Sequence, residues 1–468
     1  MRNRSKHQKL SHSTRKNERT QFIVTTFTQY FRNEIKNNPK AFQKRFQKMS
    51  NSPFQFYRGS AILFYQDMKA ERDRWIENNP AAANIFIHGD LHAENFGTYL
   101  DHEGVLNFHV NDFDESYIGP FTWDLKRLLA SLNLIAYAKG FNDEEIQQVL
   151  RVCAENYLSQ VYNFAEGGKE NFSLTLRNTS GKIKDLLLST RAKSHVENLN
   201  KLTVIQNNNR YLKRSKEVKD VDERTKEQLI QAFDKYLQTI PKNKREEQFH
   251  LRHRHRLLYK VKDIVSRSSP GIGSAGRMSY NFLIEGKSET LDDDVVLFMK
   301  EATESVISKF VRNPNLETYF QHNGMRTVLA SYAMQSCTSK WLGYTTLGNV
   351  EFLVDEVSAH SVSLDWVDIN KLSQILKVAH FLGRATAKIH CVVDSESVSD
   401  IQGADLASLP FSIIPLHTEQ TILGAIMNQN EEFINDMVRF GMVYGAQARR
   451  DHQLFFEALR NNLIQGLK

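Results

Sequence analysis

The sequence predicts an α+β protein in two lobes, a mostly helical larger one and a small antiparallel sheet, interrupted by a charged helical insertion. Three observations carry that prediction. Apolar residues recur at helical spacing through most of the chain, a glycine-rich segment is followed by strict alternation, and two short apolar runs end in clusters of His, Asp and Asn. A length of 468 residues allows two to four structural units and a sizeable core, and is too large for a simple peptide-binding module. With 41% apolar and 25% charged residues, a disordered or fibrous chain is excluded.

Residues 1–19 carry Arg2, Arg4, Lys6, Lys9, Arg15 and Lys16 and read as a disordered basic tail, with nucleic-acid contact possible but not favoured. Residues 20–166 form the first part of the helical lobe. Phe22, Ile23, Phe27, Tyr30, Phe31 and Ile35 keep helical spacing until Asn38-Pro39. Phe54–Ser60 reads as a turn-like break, with Arg58 in a structural ion pair, and Ile62–Met68 as a helix. Strands are expected at Asn84–Ile87 and Gly104–Val110, then a helix from Thr122 through Leu125, Leu128, Leu129, Leu132 and Ile135. Asn142 followed by Glu145 is a capping-box variant. Residues 167–260 shift to Lys, Arg, Asn, Gln and Glu with leucines at helical spacing, the charged insertion. Its His250, His253 and His255 lack carboxylate or thiolate neighbours and read as a solvated helix face.

Residues 261–360 form the second lobe. Gly271, Gly273 and Gly276 precede the alternating Met278, Tyr280, Phe282 and Ile284, and a second strand runs Val295–Lys300, so a glycine-rich hairpin is predicted. Helices are expected at Ala302–Val311 and Thr327–Trp341 and a strand at Val350–Val357. Residues 361–468, helical from Leu372, complete the large lobe.

A net charge of +7 suits phosphate-bearing partners without requiring nucleic acid. Cys153, Cys337 and Cys391 lie far apart with no C-x-x-C, which argues against a disulfide framework or zinc knuckle and for a reducing compartment. No apolar run reaches the roughly 18 residues of a membrane span, and the basic start lacks a signal-peptide apolar segment. A cytoplasmic location is therefore expected.

The strongest chemical signal is His88-Gly89-Asp90-Leu91-His92-Ala93-Glu94-Asn95, followed by Asp112-Phe113-Asp114. Phosphoryl transfer needs a carboxylate at the acceptor hydroxyl, with an amide oxygen and a second carboxylate to hold magnesium against the phosphates. Asp90, Asn95 and Asp112 provide that set at two adjacent strand ends. The second signal is the three glycines with Lys300. Because a strand pattern follows them, they suit a flap whose backbone N–H groups cover phosphates, with Lys300 on the same strand face as Val296 and Phe298.

At these residues the chain resembles the protein kinase-like superfamily, above all its aminoglycoside and choline phosphotransferase branch. More closely, Phe54–Gly59, His88–Gly97, Asn111–Glu115, Trp123–Arg127 and Lys300–Ala302 resemble a widespread bacterial family known as domain of unknown function twenty-two fifty-two. The resemblance spans roughly residues 54–157 and 261–390. It implies a two-lobed kinase-like fold in circularly permuted order, because the catalytic and metal loops precede the glycines and Leu382–His390 is similar to the helix that normally leads into H-G-D. It further implies Asp90 and His88 at the catalytic centre, Asn95, Asp112 and Asp114 as magnesium ligands, and Gly271, Gly273, Gly276 and Lys300 as nucleotide contacts. Glu304 or Glu301 stands as partner of Lys300, Asp124 and His92 support the loop, and Glu351–Val357 is similar to the hinge. Phe298 departs from the pattern, which keeps a small residue against the base.

The expected activity is magnesium-dependent transfer of the ATP γ-phosphoryl group to a hydroxyl of an acceptor, a small molecule more than a protein. Nucleotidyl transfer and a nucleotide-binding pseudokinase or scaffold are the alternatives. A dinuclear metallophosphoesterase, suggested by Gly89-Asp90-Leu91-His92, finds only Gly348-Asn349-Val350-Glu351 as a second motif, without the needed histidine.

Overall fold

Helix starts are written plainly into the first sixty residues. Asn38 accepts from Ala41 N and Ser52 accepts from Gln55 N, and each is followed by a proline whose fixed φ suits the first helical position. The helices they open are α3 (Pro39–Met49) and α4 (Pro53–Gly59), after α1 (Arg2–Tyr30) and α2 (Arg32–Asn37) and before α5 (Ala61–Ala70) and α6 (Arg74–Asn78). A computed structural model describes residues 2–167, 172–240, 259–268, 272, 276–335, 338–392, 413–464 and 466. Gly271, Gly273, Cys337 and the histidines at 250, 253 and 255 lie outside them.

Two expectations are corrected here. The segment at Phe54–Ser60 is helix α4, because Ser52-Pro53 caps and starts it. The basic tail is the first half of α1, which contains neither Pro nor Gly over residues 2–30. Its second half buries Ile23 and Phe27, and Arg19 bridges Asp67 at 2.7 Å and Asp451 at 2.6 Å. A helix nucleated there propagates backward at one residue per bond.

Strand β1 (Ile85–Ile87) pairs antiparallel with β4 (Tyr117–Gly119), while β2 (Phe96–Leu100) pairs with β3 (Leu106–Val110). The polar loops 88–95, from β1 to β2, and 111–116, from β3 to β4, therefore both bridge the same two strand pairs. α7 (Phe121–Ala138) is buried on every side from Phe121 to Ala136, as a central helix must be. α8 (Asp143–Ala165) begins with the expected reciprocal box of Asn142 and Glu145.

The charged stretch after residue 167 is not an appended helical insertion. α9 (Gly181–Arg191) and α10 (His195–Leu202) lead into the ribbon β5 (Thr203–Gln206) and β6 (Asn209–Leu212), then β7 (Val218–Asp220) and α11 (Glu223–Thr239). The apolar stripe of α11, Leu229, Ala232, Phe233 and Tyr236, is buried on the sheet, so this helix is part of the core of that half.

Among the described residues the largest sheet has six antiparallel strands in the order β11 (Gly343–Leu347), β12 (Val350–Glu356), β10 (Val295–Glu301), β9 (Ser279–Ile284), β8 (Val261–Arg267) and β7. Val295, Leu297 and Met299 of β10 pack on the α11 side. Alternation sends Val296, Phe298 and Lys300 to the opposite face. Residues 302–311 form a loop with one 3-10 turn at Val306–Lys309 where a helix is expected, since Ser305 and Glu115 take up its backbone groups. α12 (Pro314–Tyr319) and α13 (Asn323–Met334) follow.

The chain closes with β13 (Val362–Ser363), added to the edge of β2, and with α14 (Leu372–Cys391), α15 (Thr418–Ile426) and α16 (Asn430–Arg460). These helices share one apolar core with α1–α8: Phe27 meets Phe455 edge-on at 5.5 Å, although the two are at opposite ends of the sequence. The architecture is mixed α+β, helix-rich, with several small antiparallel sheets.

Candidate functional site

The loop His88–Asn95 is held from behind by one face of α7. Asp124, Arg127 and Ser131 are spaced three and four residues apart and so line up along the helix. Asp124, fully buried, accepts from His88 N at 2.6 Å and from Gly89 N at 2.9 Å, and His390 of α14 lies 3.2 Å from it. Tyr157 hydroxyl completes this chain at 2.9 Å from His390 Nδ1. Ser131 Oγ accepts from Ala93 N at 3.0 Å. Gly89 has φ +84°, and a Cβ there would sit 2.2 Å from the carbonyl oxygen of Glu115, so no other residue fits this turn without displacing backbone.

Arg127 reaches forward. Its Nε donates to Asp90 Oδ1 at 2.7 Å, another guanidinium nitrogen is 2.5 Å from the same oxygen, and the group lies over the Tyr57 ring. Burial pushes the Asp90 carboxyl above the usual aspartate range, and Arg127 opposes that shift without cancelling it. Asp90 still opens toward a cavity. Asn95 Nδ2 donates to the Asp90 carbonyl at 2.9 Å, which leaves the amide oxygen as the atom that can serve as a ligand.

The second loop arrives from β3. Asp112 occupies the left-handed region at φ 66°, a conformation that Asp tolerates better than most residues and that clusters at functional sites. The Lys300 ammonium, from the middle of the large sheet, contacts Asp114 directly and lies 3.5 Å from Asp112. Burial alone would lower the Lys300 pKa, but Asp114 and Asp112 outweigh it and hold the amine charged. Burial likewise works to raise Asp114, and Lys300 and Arg277 bring it below the ordinary aspartate value. Buried Arg326 of α13 donates to the carbonyls of Asp114 at 2.7 Å, Ser116 at 2.6 Å and Thr303 at 2.8 Å. The sheet-bearing half and the helical half therefore meet at this loop.

Two cavities flank the Lys300–Asp114 contact. One, of about 260 Å³, lies between Phe298 and Lys300 of β10, Leu353, Asp355 and Glu356 of β12, and Asp112. The other, of about 420 Å³, is lined by Asp90 and Glu115, by Gly276 and Arg277 of the glycine segment, and by residues of α1–α4 including Tyr30 and Arg45.

Most of the residues nominated from sequence converge here, with three corrections. His88 is wholly buried with Nε2 on the Asn111 carbonyl at 2.9 Å and Nδ1 facing Asp90 N, so it shapes the loop and does not face a cavity. Glu304 pairs with Lys309 at 2.9 Å and Ser308, and Glu301 accepts from Met278 N, so neither is the partner of Lys300. Asp114 fills that place. His92 is buried against Phe54, and desolvation keeps it neutral, in keeping with a supporting position. Arg58 forms the expected ion pair, with Glu94 at 2.6 Å. Gly276 reaches the site with φ +81°.

Arg127, Arg326, Arg277 and Arg45 were not nominated. Only Arg127 left a sequence signal, its three-residue spacing from Asp124 on one helix. Asn95, Asp112 and Asp114 offer one amide and two carboxylate oxygens that could hold a hard cation. Among the described residues no cluster of three or more His, Cys, Asp or Glu suits a metal held by protein alone. Also among the described residues, no helix is long and apolar enough to cross a membrane.

No curated protein and no solved structure matches the chain. A family model does match, over residues 37–458, a span that takes in both loops, Lys300 and the charged stretch after residue 167. The chain therefore belongs to the family described as an uncharacterized protein conserved in bacteria, DUF2252.

Proposed function

We propose that this protein is an ATP-dependent phosphotransferase of kinase-like architecture in circularly permuted order, moving a γ-phosphoryl group to an acceptor hydroxyl. The observation that carries this reading is the meeting of Lys300 with Asp112 and Asp114, between one cavity against β12 and another that opens at Asp90. Two further features support it. The strand that follows the glycine segment, the lysine strand and the hinge-like strand belong to one antiparallel sheet, with β12, β10 and β9 side by side. The end of α14 lies against Asp124 beneath the H-G-D loop, where an unpermuted chain would connect directly.

In this mechanism the adenine edge meets the backbone of β12, and Phe298 narrows that cavity. Lys300 acts as a point charge on the phosphates, and Asp114 holds its amine in position until they arrive. Arg127 fixes the rotamer of Asp90, which orients the acceptor hydroxyl and takes its proton; the raised pKa of Asp90 makes it a better base. Asp112 and Asp114 already turn their carboxylates toward one cationic group, so with Asn95 they fit magnesium, an ion that takes one or two carboxylates together with phosphate oxygens. When bound, the metal would offset charge on the phosphates; positioning and fixed charges supply the rest of the catalysis.

The test is transfer of label from γ-labelled ATP, with magnesium, to a metabolite extract. Labelled product is expected from the wild-type protein, with turnover falling at least about a hundredfold in Asp90→Asn while magnesium-ATP still raises its Tm. Transfer of label to product from α-labelled but not from γ-labelled ATP, with the β- and γ-phosphates leaving as pyrophosphate, would replace phosphoryl by nucleotidyl transfer. ATP stabilisation with no product from either position would leave a nucleotide-binding pseudoenzyme.

A further inference from the structure

The larger cavity has an unusual charge balance once its ion pairs are assigned. Of the cations that line it, Arg58 is bound to Glu94 and Lys309 to Glu304. Arg45 and Arg277 remain. Arg45 makes no ion pair among the described residues: one amine donates to the Gly59 carbonyl at 3.2 Å, while its buried Nε has no hydrogen-bond partner. Its guanidinium is held over the rings of Phe31 at 4.6 Å and Phe42 at 5.6 Å, so it is fixed in place. Among the described residues Arg277 has a single ion-pair contact, at 3.7 Å to Asp114, whose carboxylate is already engaged by Lys300.

These two cations act on each other: burial and the charge of Arg277 pull the Arg45 pKa down to about 10. Two guanidiniums that repel each other in one cavity are an unfavourable arrangement until an anion joins them. The carboxylates nearby do not fill that role. Asp90 is turned to Arg127, Glu301 accepts from Met278 N, and Glu115 accepts from Val306 N at 2.7 Å with burial raising its pKa. Glu34 is exposed on α2.

We infer that Arg45 and Arg277 form an anion subsite in the cavity that opens at Asp90, so that the acceptor is a hydroxyl compound carrying a phosphate or carboxylate group. The inference rests on the phosphotransferase reading for the word acceptor; the subsite itself is defined without nucleotide. Recognition is assigned to α1–α4, which wall this cavity, while the sheet and the two loops hold the nucleotide. An oxyanion bound between the guanidiniums replaces their repulsion with charge-assisted hydrogen bonds.

The experiment is titration of the full chain, without ATP, with inorganic phosphate in one arm and acetate in the other, read by calorimetry and by Tm. Saturable binding of one of them is expected, and the arm that binds identifies the group. Arg45→Gln and Arg277→Gln should each weaken it on the order of tenfold or more. Arg45→Lys, which keeps the charge and much of the stem, guards against loss of folding and should retain part of the affinity. The surface control Arg72→Gln should leave phosphate binding unchanged. Unaltered binding in Arg45→Gln and Arg277→Gln, or no saturable binding of either anion, overturns the subsite. Binding that passes these controls in a protein that transfers no label keeps the subsite and removes only the phosphotransferase reading.

Discussion

The two loops at the centre of this molecule are held by different physics. The His88–Asn95 loop is fastened by buried hydrogen bonds to Asp124 and Ser131 of α7, backed by His390 and Tyr157. The Asn111–Ser116 loop is fastened by charges: Lys300 and Arg277 on its carboxylates and Arg326 on its carbonyls. Asp124 is fully buried, whereas the Asp112 side chain is 54% exposed. Buried, fully satisfied groups make a geometry rigid, while charged groups at a cavity can exchange partners when a ligand enters. One loop is a fixed base and the other an adjustable clamp.

The sharpest way to break this contrast is at Asp124. Asp124→Asn exchanges one acceptor oxygen for a donor facing a backbone N–H, and the loss should be about 3 kcal/mol or more, seen as a lower urea midpoint. A change below about 1 kcal/mol would mean the rear loop is not the rigid one. Lys300→Met comes next. It leaves two carboxylates without their cation, so stability should fall by roughly 1–3 kcal/mol, and magnesium-ATP affinity by about tenfold or more if the amine is the phosphate contact.

The smallest effect is in pH, and its sign follows from the two opposite shifts. Burial opposes both charges, yet mutual attraction wins for each partner. Asp114 has a folded pKa below its unfolded value of about 3.9, so its contribution is present above that pH and is lost as the pH falls through the folded value. Lys300 has a folded pKa above its unfolded value of about 10.4, so its contribution is present below that pH and is lost as the pH rises through the folded value. Stability from the clamp should therefore be flat between these limits and fall outside them. Asp114→Asn should flatten both limbs in a series of urea midpoints taken against pH, and unchanged limbs would place the pH dependence elsewhere.

Local sequence signals served the rigid loop well. Strand-length apolar runs before His88 and before Asn111, the Asn142–Glu145 box and the helix from Thr122 were all legible, because each depends on residues within one turn or one strand. The misreadings share a cause. In helix α4 an aromatic-rich stretch ending in Gly-Ser hides the Ser-Pro start, and after residue 167 the high charge conceals the stripe that α11 buries on the sheet. His88 stands beside Asp90 in the motif, yet it is wholly buried with its ring on the Asn111 carbonyl, a contact from the other loop.

What the sequence determined by itself was the chemistry available: an acidic pair of loops, glycines, a lysine in an apolar strand and a composition that excludes a disordered or fibrous chain. Which lysine partner, which arginine behind Asp90 and which cations in the larger cavity were decided only by tertiary structure. The reason is distance along the chain. Lys300 meets Asp114 across 186 residues and His390 meets Asp124 across 266, and no local propensity encodes contacts that only burial of the shared core brings together.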